Sequence, residues 1–211
     1  MIDLNGRKTA VALGNFDGLH KGHLAVINKA VAQKSNGLLP CILTFDSHPL
    51  KILTGSAPKR IMTRTLCEKT TEKLGCKTVR LPFEDVRNMT PEEFFNEILI
   101  NKLNVGFVSC GFNYHFGKMG KGTAETLRKL CESAGIGFEC AEEVLYKNDI
   151  ISSTRIRKLI ENGDIEEANI EHTYGFEGEV GPCLYTEIKD GKRMSASYSD
   201  TEEIETEDCD G

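Results

Sequence analysis

No two of the eight cysteines stand close enough to form a C-x-x-C half-site, so the sequence signature of zinc ribbons and dithiol redox motifs is missing. They are scattered at positions 41, 67, 76, 110, 131, 140, 183 and 209, and Cys41 and Cys110 lie inside apolar runs, where a free thiol packs as a small hydrophobe. No apolar run approaches the length of a bilayer span, and no basic-then-apolar leader follows Met1. A cytoplasmic protein without membrane association is expected. An excess of basic charge is missing too: the formal net charge is -6, and residues 200–211 hold seven acidic side chains and no basic one, which leaves the rest of the chain close to neutral. Such a body has no electrostatic reason to bind nucleic acid. The acidic block buries nothing and repels itself, so it is predicted to stay disordered.

What the chain does contain is an alternation. Its 211 residues suit one medium domain with a short appendage. Lys8 to Gly14 reads as a buried strand, Lys21 to Lys34 as a helix with Leu24, Ile27, Ala30 and Val31 on one face, and Leu38 to Phe45 as a second strand. A helix over Thr65 to Leu74 precedes the strand Lys77 to Leu81. Thr90-Pro91-Glu92-Glu93 then has the form of a capping box ahead of the apolar stripe Phe94, Phe95, Ile98, Leu99 and Leu103. Val105 to Cys110, a helix over Thr123 to Ala134 and Ile136 to Glu142 continue the pattern, and Ser152 or Ser153 caps a helix that Asn162-Gly163-Asp164 ends before one last helical turn. Alternating strands and helices predict an α/β fold, with a parallel sheet of about five strands covered on both faces and ligands at the strands' carboxyl ends. Beyond His172, Phe176 to Val180 and Tyr185 to Tyr198 with the turn signal Lys189-Asp190-Gly191-Lys192 predict a small β appendage. The expected division is 1–172, 173–199 and an acidic tail at 200–211.

Three segments carry chemistry. Gly14-Asn15-Phe16-Asp17-Gly18-Leu19-His20-Lys21-Gly22-His23 lies between the first strand and the first helix. Its glycines let a backbone approach a nucleotide, and His20 and His23 sit on a helical turn whose free N–H groups already favour an anion. Solvated histidines in a tight loop, or metal ligands, are alternatives for such a pair. The position after the first strand, the glycines, and the lack of a third histidine or cysteine nearby in sequence favour phosphate. Ile151-Ser152-Ser153-Thr154-Arg155-Ile156-Arg157 forms a second anion site at a helix start, although its hydroxyls also suit plain capping. Gly111 to Gly122, with Phe112, Asn113, Tyr114, His115 and Phe116, suits a planar ring beside an anionic group, or else core aromatics and a solvated lysine loop.

Together these segments resemble the prokaryotic-type FAD synthetases, the adenylyltransferase half of bifunctional riboflavin kinase/FAD synthetases. Gly14 to His23 matches the family's G-N-F-D-G-x-H-x-G-H signature, Phe45 to Pro49 is similar to its F-x-P-H-P segment, Gly111 to Gly122 to its aromatic loop, and Ser152 to Arg157 to its S-S-T-x-I-R motif. Ser47 stands where the family has proline and His115 where it has arginine. Only 39 residues follow His172, too few for the kinase domain, and its G-x-P-T-A-N segment is absent.

The resemblance implies a Rossmann-like nucleotidyltransferase fold and transfer of AMP from ATP to FMN, giving FAD and pyrophosphate. It implies ATP contacts from Gly14, Asn15, Phe16, Asp17, Gly18, His20, His23, Ser152, Ser153, Thr154 and Arg157, and flavin contacts from Phe45, His48, Pro49, Phe112, Asn113 and Phe116. His20 and His23 are expected on the α- and β-phosphates, Ser152, Ser153, Thr154 and Arg157 on the leaving pyrophosphate, and Asn113 orienting the reacting phosphates. Magnesium is expected with ATP, with no dedicated protein cage and Asp17 at most in its outer shell. Two other readings suit the same residues: adenylyl or cytidylyl transfer to another phosphorylated acceptor, such as phosphopantetheine, nicotinamide mononucleotide or a sugar or polyol phosphate, and a flavin- or nucleotide-binding protein without turnover.

Overall fold

The computed structural model describes residues 6–171, 185–189 and 192–196. Strand β1 (Thr9–Leu13) is apolar on both faces and buried along its whole length. Helix α1 (Lys21–Ala32), ending in a short 3-10 turn, leads to β2 (Leu39–Phe45), α2 (Pro49–Thr54), α3 (Arg64–Lys73) and β3 (Lys77–Leu81). The short α4 (Phe83–Val86) and α5 (Pro91–Glu93) follow, and α5 runs on as a π-helix over Phe94–Lys102 before β4 (Val105–Gly111). A small ribbon of β5 (His115–Phe116) and β6 (Gly122–Thr123) opens onto α6 (Ala124–Ser133) and β7 (Gly137–Ala141). A second ribbon, β8 (Leu145–Tyr146) and β9 (Asp149–Ile150), precedes α7 (Ser153–Asn162) and α8 (Ile165–Glu171).

Strands β3, β2, β1, β4 and β7 form one parallel sheet in that order. The chain therefore winds outward from β1 in both directions, and the carboxyl end of β1 lies at the switch point where ligands gather in such sheets. Side-chain alternation divides the core in two. Val11 and Leu13 of β1 pack with Leu43, Val108, Phe94, Leu99 and Leu127 on one face, whereas Ala10 and Ala12 admit Ile27, Ala30 and Cys67 on the other. The small alanines let α1 approach the sheet closely, and Ser109 in β4 donates its hydroxyl to Val26 O at 2.9 Å to seat it. As a result Val26, Ile27 and Ala30 are the buried residues of α1, with Leu24 and Val31 half-buried at the edge of the expected stripe.

The capping box at Thr90 is formed: Thr90 N–H donates to Glu93 Oε2 at 2.7 Å, and Glu93 N–H donates to Thr90 Oγ1 at 3.1 Å. The stripe behind it is buried, but its backbone ladder is wider than an α-helix, with Leu103 N–H reaching Ile98 O at 3.0 Å. The wider turn brings the adjacent pairs Phe94, Phe95 and Ile98, Leu99 inward together. Cys41, Cys67, Cys76, Cys110 and Cys131 are free and buried, and burial pushes the Cys41 and Cys67 thiols up to about 11. Near the C-terminus, β10 (Tyr185–Lys189) and β11 (Lys192–Ala196) pair antiparallel with Lys189 opposite Lys192. The segment Phe176 to Val180, the expected boundaries at 172 and 199 and the acidic tail lie outside the described residues.

Candidate active site

The loop that leaves β1 is held in an unusual backbone path. Phe16, Gly18 and Leu19 all adopt positive φ, at 48°, 84° and 40°, and Phe16 and Leu19 tolerate it because both are buried, at 2% and 0% exposure. Gly18 has no substitute, since a Cβ there would lie 2.9 Å from Ile61 Cγ2 as well as facing its φ. The path delivers His20 as the N-cap of α1, where its Nδ1 accepts the His23 N–H at 3.3 Å. With Nδ1 so used, the neutral ring carries its proton on Nε2. The His23 ring stacks on His20 with centroids 3.6 Å apart and meets the edge of Phe16 at 5.4 Å.

Helix α7 supplies the facing wall. Ser152 caps it by accepting the Arg155 N–H at 3.2 Å, so its own hydroxyl proton stays available. Ser153 donates its hydroxyl to the Asp17 carbonyl at 2.8 Å, which ties the start of α7 to the β1 loop. Arg155 anchors the helix from behind through Glu171 Oε1 at 2.5 Å, Asp149 Oδ2 at 2.7 Å and Glu167 Oε1 at 2.7 Å. The amides of the first turn of α7 are thereby fixed in place as anion donors.

Between these walls lies a cleft of about 500 Å³ along the carboxyl ends of the strands. Gly14, Asn15, Phe16, His20, His23, Ser152 and Ser153 line it together, as do Phe45, Pro49, Phe112, Asn113 and Phe116. The structure thus brings the histidine motif, the serine motif and the aromatic loop into one cavity. Phe45 meets Phe83 edge to face at 5.2 Å, and with Pro49, Leu53 and Val86 they form an apolar wall toward the β3 edge. Phe112 is half exposed at 45%, whereas Phe116 is buried against Phe94 and Tyr114 and presents only part of its ring.

Asp17, Gly18, His48, Thr154 and Arg157 stand outside this wall. Arg157 donates to Asp17 Oδ2 and, at 2.7 Å, to Lys59 O, and Asp17 Oδ1 accepts the Ile61 N–H at 3.0 Å. The two side chains thus form an ion pair with each other. His48 caps α2 through Nδ1, which accepts the Leu50 N–H at 3.2 Å, and its Nε2 sits 3.1 Å from the Asn15 side-chain amide. Burial lowers the His48 pKa from its usual 6.5, more than the Asp17 carboxylate restores, and Arg157 and Arg60 push the same way as burial. Ser47 and His115, the two departures from the family pattern, line a small side pocket beside His48 and the main cleft respectively. Sequence reasoning missed Arg87, Glu142 and Glu143 in the wall; Arg87 follows the short helix α4, Glu142 and Glu143 follow β7, and none of them carries a motif of its own.

A family model described as FAD synthetase matches residues 3–155. The bifunctional riboflavin kinase/FMN adenylyltransferase of Bacillus subtilis is 33% identical over 169 residues, covering 77% of this chain and 52% of its own length. Its counterpart from Listeria monocytogenes is 35% identical over 182 residues, 81% of this chain and 56% of that protein. A protein of L. monocytogenes named FAD synthetase is 31% identical over 169 residues, 78% of this chain and 68% of its own length. A crystal structure described as a macrolide-efflux protein from Streptococcus pneumoniae shares the fold with a TM-score of 0.70 at 29% identity, covering 79% of this chain and 55% of that one. Among the described residues of this chain no helix is long and apolar enough to cross a membrane. The chain spans about half the length of the bifunctional relatives. The match of the family model over most of the chain, on the fold and motifs described above, places it: the chain belongs to the FAD synthetase family.

Proposed function

We propose that this chain transfers AMP from ATP to FMN, forming FAD and releasing pyrophosphate. One observation carries the proposal: the stacked His20 and His23 and the start of α7 wall the same cleft, whose other end is apolar and aromatic. A triphosphate in the middle of that cleft meets two imidazoles on one side and the Ser152 hydroxyl with the first amides of α7 on the other. The aromatic end suits a planar ring better than a flexible chain or a sugar.

In this mechanism an oxygen of the FMN phosphate attacks the α-phosphorus in line, and the bond from that phosphorus to the β-phosphate bridging oxygen breaks. The attacking oxygen is already ionised at neutral pH, so no side chain has to take a proton. Catalysis consists of alignment and of donors aimed at charge that builds on the transferring oxygens. His20, oriented by its cap, offers Nε2–H to the α-phosphate region, and His23 lies beside it. Ser152, with the Ser153 and Thr154 amides, receives the pyrophosphate, and Asn113, in the wall above, orients the two reacting phosphates. Arg157 acts as a positioning residue that holds Asp17, and through it the β1 loop, against α7. Magnesium enters as part of the nucleotide substrate, held by phosphate oxygens and water; Asp17, engaged by Arg157, keeps its carboxylate for the fold.

The test is to incubate the protein with magnesium, ATP and, separately, FMN, riboflavin, phosphopantetheine and nicotinamide mononucleotide. The products are then separated by chromatography. FAD from FMN, with no dinucleotide from the other acceptors, is the expected result. A dinucleotide from another acceptor and none from FMN would replace the flavin assignment, and no turnover with any acceptor would favour a binding protein.

A further inference from the structure

The two ends of the cleft carry side chains of opposite charge. Loops after the two edge strands close its ends, and the order β3, β2, β1, β4, β7 sets those loops four strand spacings apart, about 19 Å. At the β7 end the wall carries Glu142 and Glu143, which only accept hydrogen bonds when ionised. At the β3 end it carries Arg87, the one lysine or arginine among the lining residues. The His20 and His23 pair lies between them at the end of β1. A guanidinium is all donor, so the two ends of the cleft ask for opposite chemistry from whatever lies across it.

Arg87 is also well placed to be selective. Val86 beside it is buried at 4% exposure, and the Arg87 N–H donates to Phe83 O at 2.9 Å, so the turn that carries the side chain is fixed. Its guanidinium is exposed and has no ion pair or hydrogen bond among the described residues. It stands at the rim of the wall built by Phe45, Pro49, Leu53 and Phe83, where a planar ring would lie.

We infer that Arg87 is a specificity-determining residue that receives the carbonyl-bearing edge of the acceptor's ring system, two adjacent acceptors on a planar heterocycle, with the ring face against Phe45 and Phe83. This rests on the assignment of a flavin phosphate as acceptor. An isoalloxazine fits both demands: its benzenoid end is apolar, and its pyrimidinedione end sets ring nitrogens next to carbonyl oxygens in the spacing a guanidinium fork matches. The same group rejects rings that present donors at that edge, because the guanidinium then meets only like donors.

The experiment compares the full chain with Arg87→Met, which keeps the apolar stem, and Arg87→Lys. FMN and riboflavin are titrated by flavin fluorescence, and steady-state constants are measured with FMN and ATP. Arg87→Met is expected to weaken FMN and riboflavin equally, about tenfold, and to raise the KM for FMN by a like factor, leaving kcat and the KM for ATP within about twofold. Arg87→Lys recovers only part of the loss, because a point charge replaces a fork. Loss of FMN affinity with riboflavin unchanged would overturn the inference by placing Arg87 on the phosphate. Arg87→Met that binds both flavins as the parent does would overturn it outright while the parent still makes FAD. A parent chain that binds neither flavin would remove the flavin assignment itself and this inference with it.

Discussion

Arg157 on α7 closes on Asp17 in the β1 loop, an ion pair that joins the serine motif to the histidine motif across 140 residues of chain. Both side chains are largely shielded, at 15% and 9% exposure. Removing one partner leaves the other charge uncompensated, so Asp17→Asn and Arg157→Met should each destabilise the protein by about 3 kcal/mol. The double variant should lose less than the sum of the two by about 1–2 kcal/mol. Urea unfolding of the four proteins measures this coupling. Strict additivity would show that the pair does not act as a unit.

Gly22 separates stability from alignment. A Cβ at this position would lie 3.2 Å from both Cε1 and Nδ1 of His20 and 3.5 Å from Ile151 O. Gly22→Ala should therefore shift the His20 ring by a few tenths of an ångström. The same change favours the helix by as much as about 1 kcal/mol. FAD synthesis falling roughly tenfold or more with unfolding stability unchanged or raised is the expected pair of results. Full activity in this variant would mean that the position of His20 is not critical.

His48 makes stability depend on pH. Its lowered pKa means that the unfolded chain takes up the proton more readily than the fold does. The stability tied to its neutral ring is complete above pH 6.5 and is lost as pH falls from there through the lower folded value. Parent protein and His48→Gln, unfolded in urea between pH 5 and pH 8, should differ in slope, with the advantage of the parent shrinking toward pH 5. Parallel slopes would remove His48 as the titrating group.

Much of this was legible in the sequence, and the parts that were not have identifiable causes. Strands β1, β2 and β4 announced themselves because both of their faces are covered, which gives nearly continuous apolar runs, whereas the edge strands β3 and β7 keep exposed positions and rested on the alternation of strands and helices; Thr90 to Glu93 formed the expected box because its side chains bond only to their own backbone. The π-helix at Phe94–Lys102 was hidden, since the spacing of Phe94, Phe95, Ile98 and Leu99 serves either ladder. A motif residue reads in the sequence as a contact to ligand, and the pairing of Asp17 with Arg157 carries no signal there. A charged pair far apart in sequence cannot be told from two ligand contacts until the fold brings them together. Arg87, Glu142 and Glu143 had no signal at all; only the sheet order places them at opposite ends of one cleft.

The most direct test follows the phosphorus atoms. The protein is given FMN and magnesium with ATP labelled at the α- or at the γ-phosphate, and label is counted in the flavin product and in the released phosphate. The α-label should appear in the flavin dinucleotide, one atom for each pyrophosphate released, and the γ-label only in pyrophosphate. Label from the γ-phosphate in the flavin, or orthophosphate released with no label in the flavin, would contradict a cleft built to break the bond between the α- and β-phosphates.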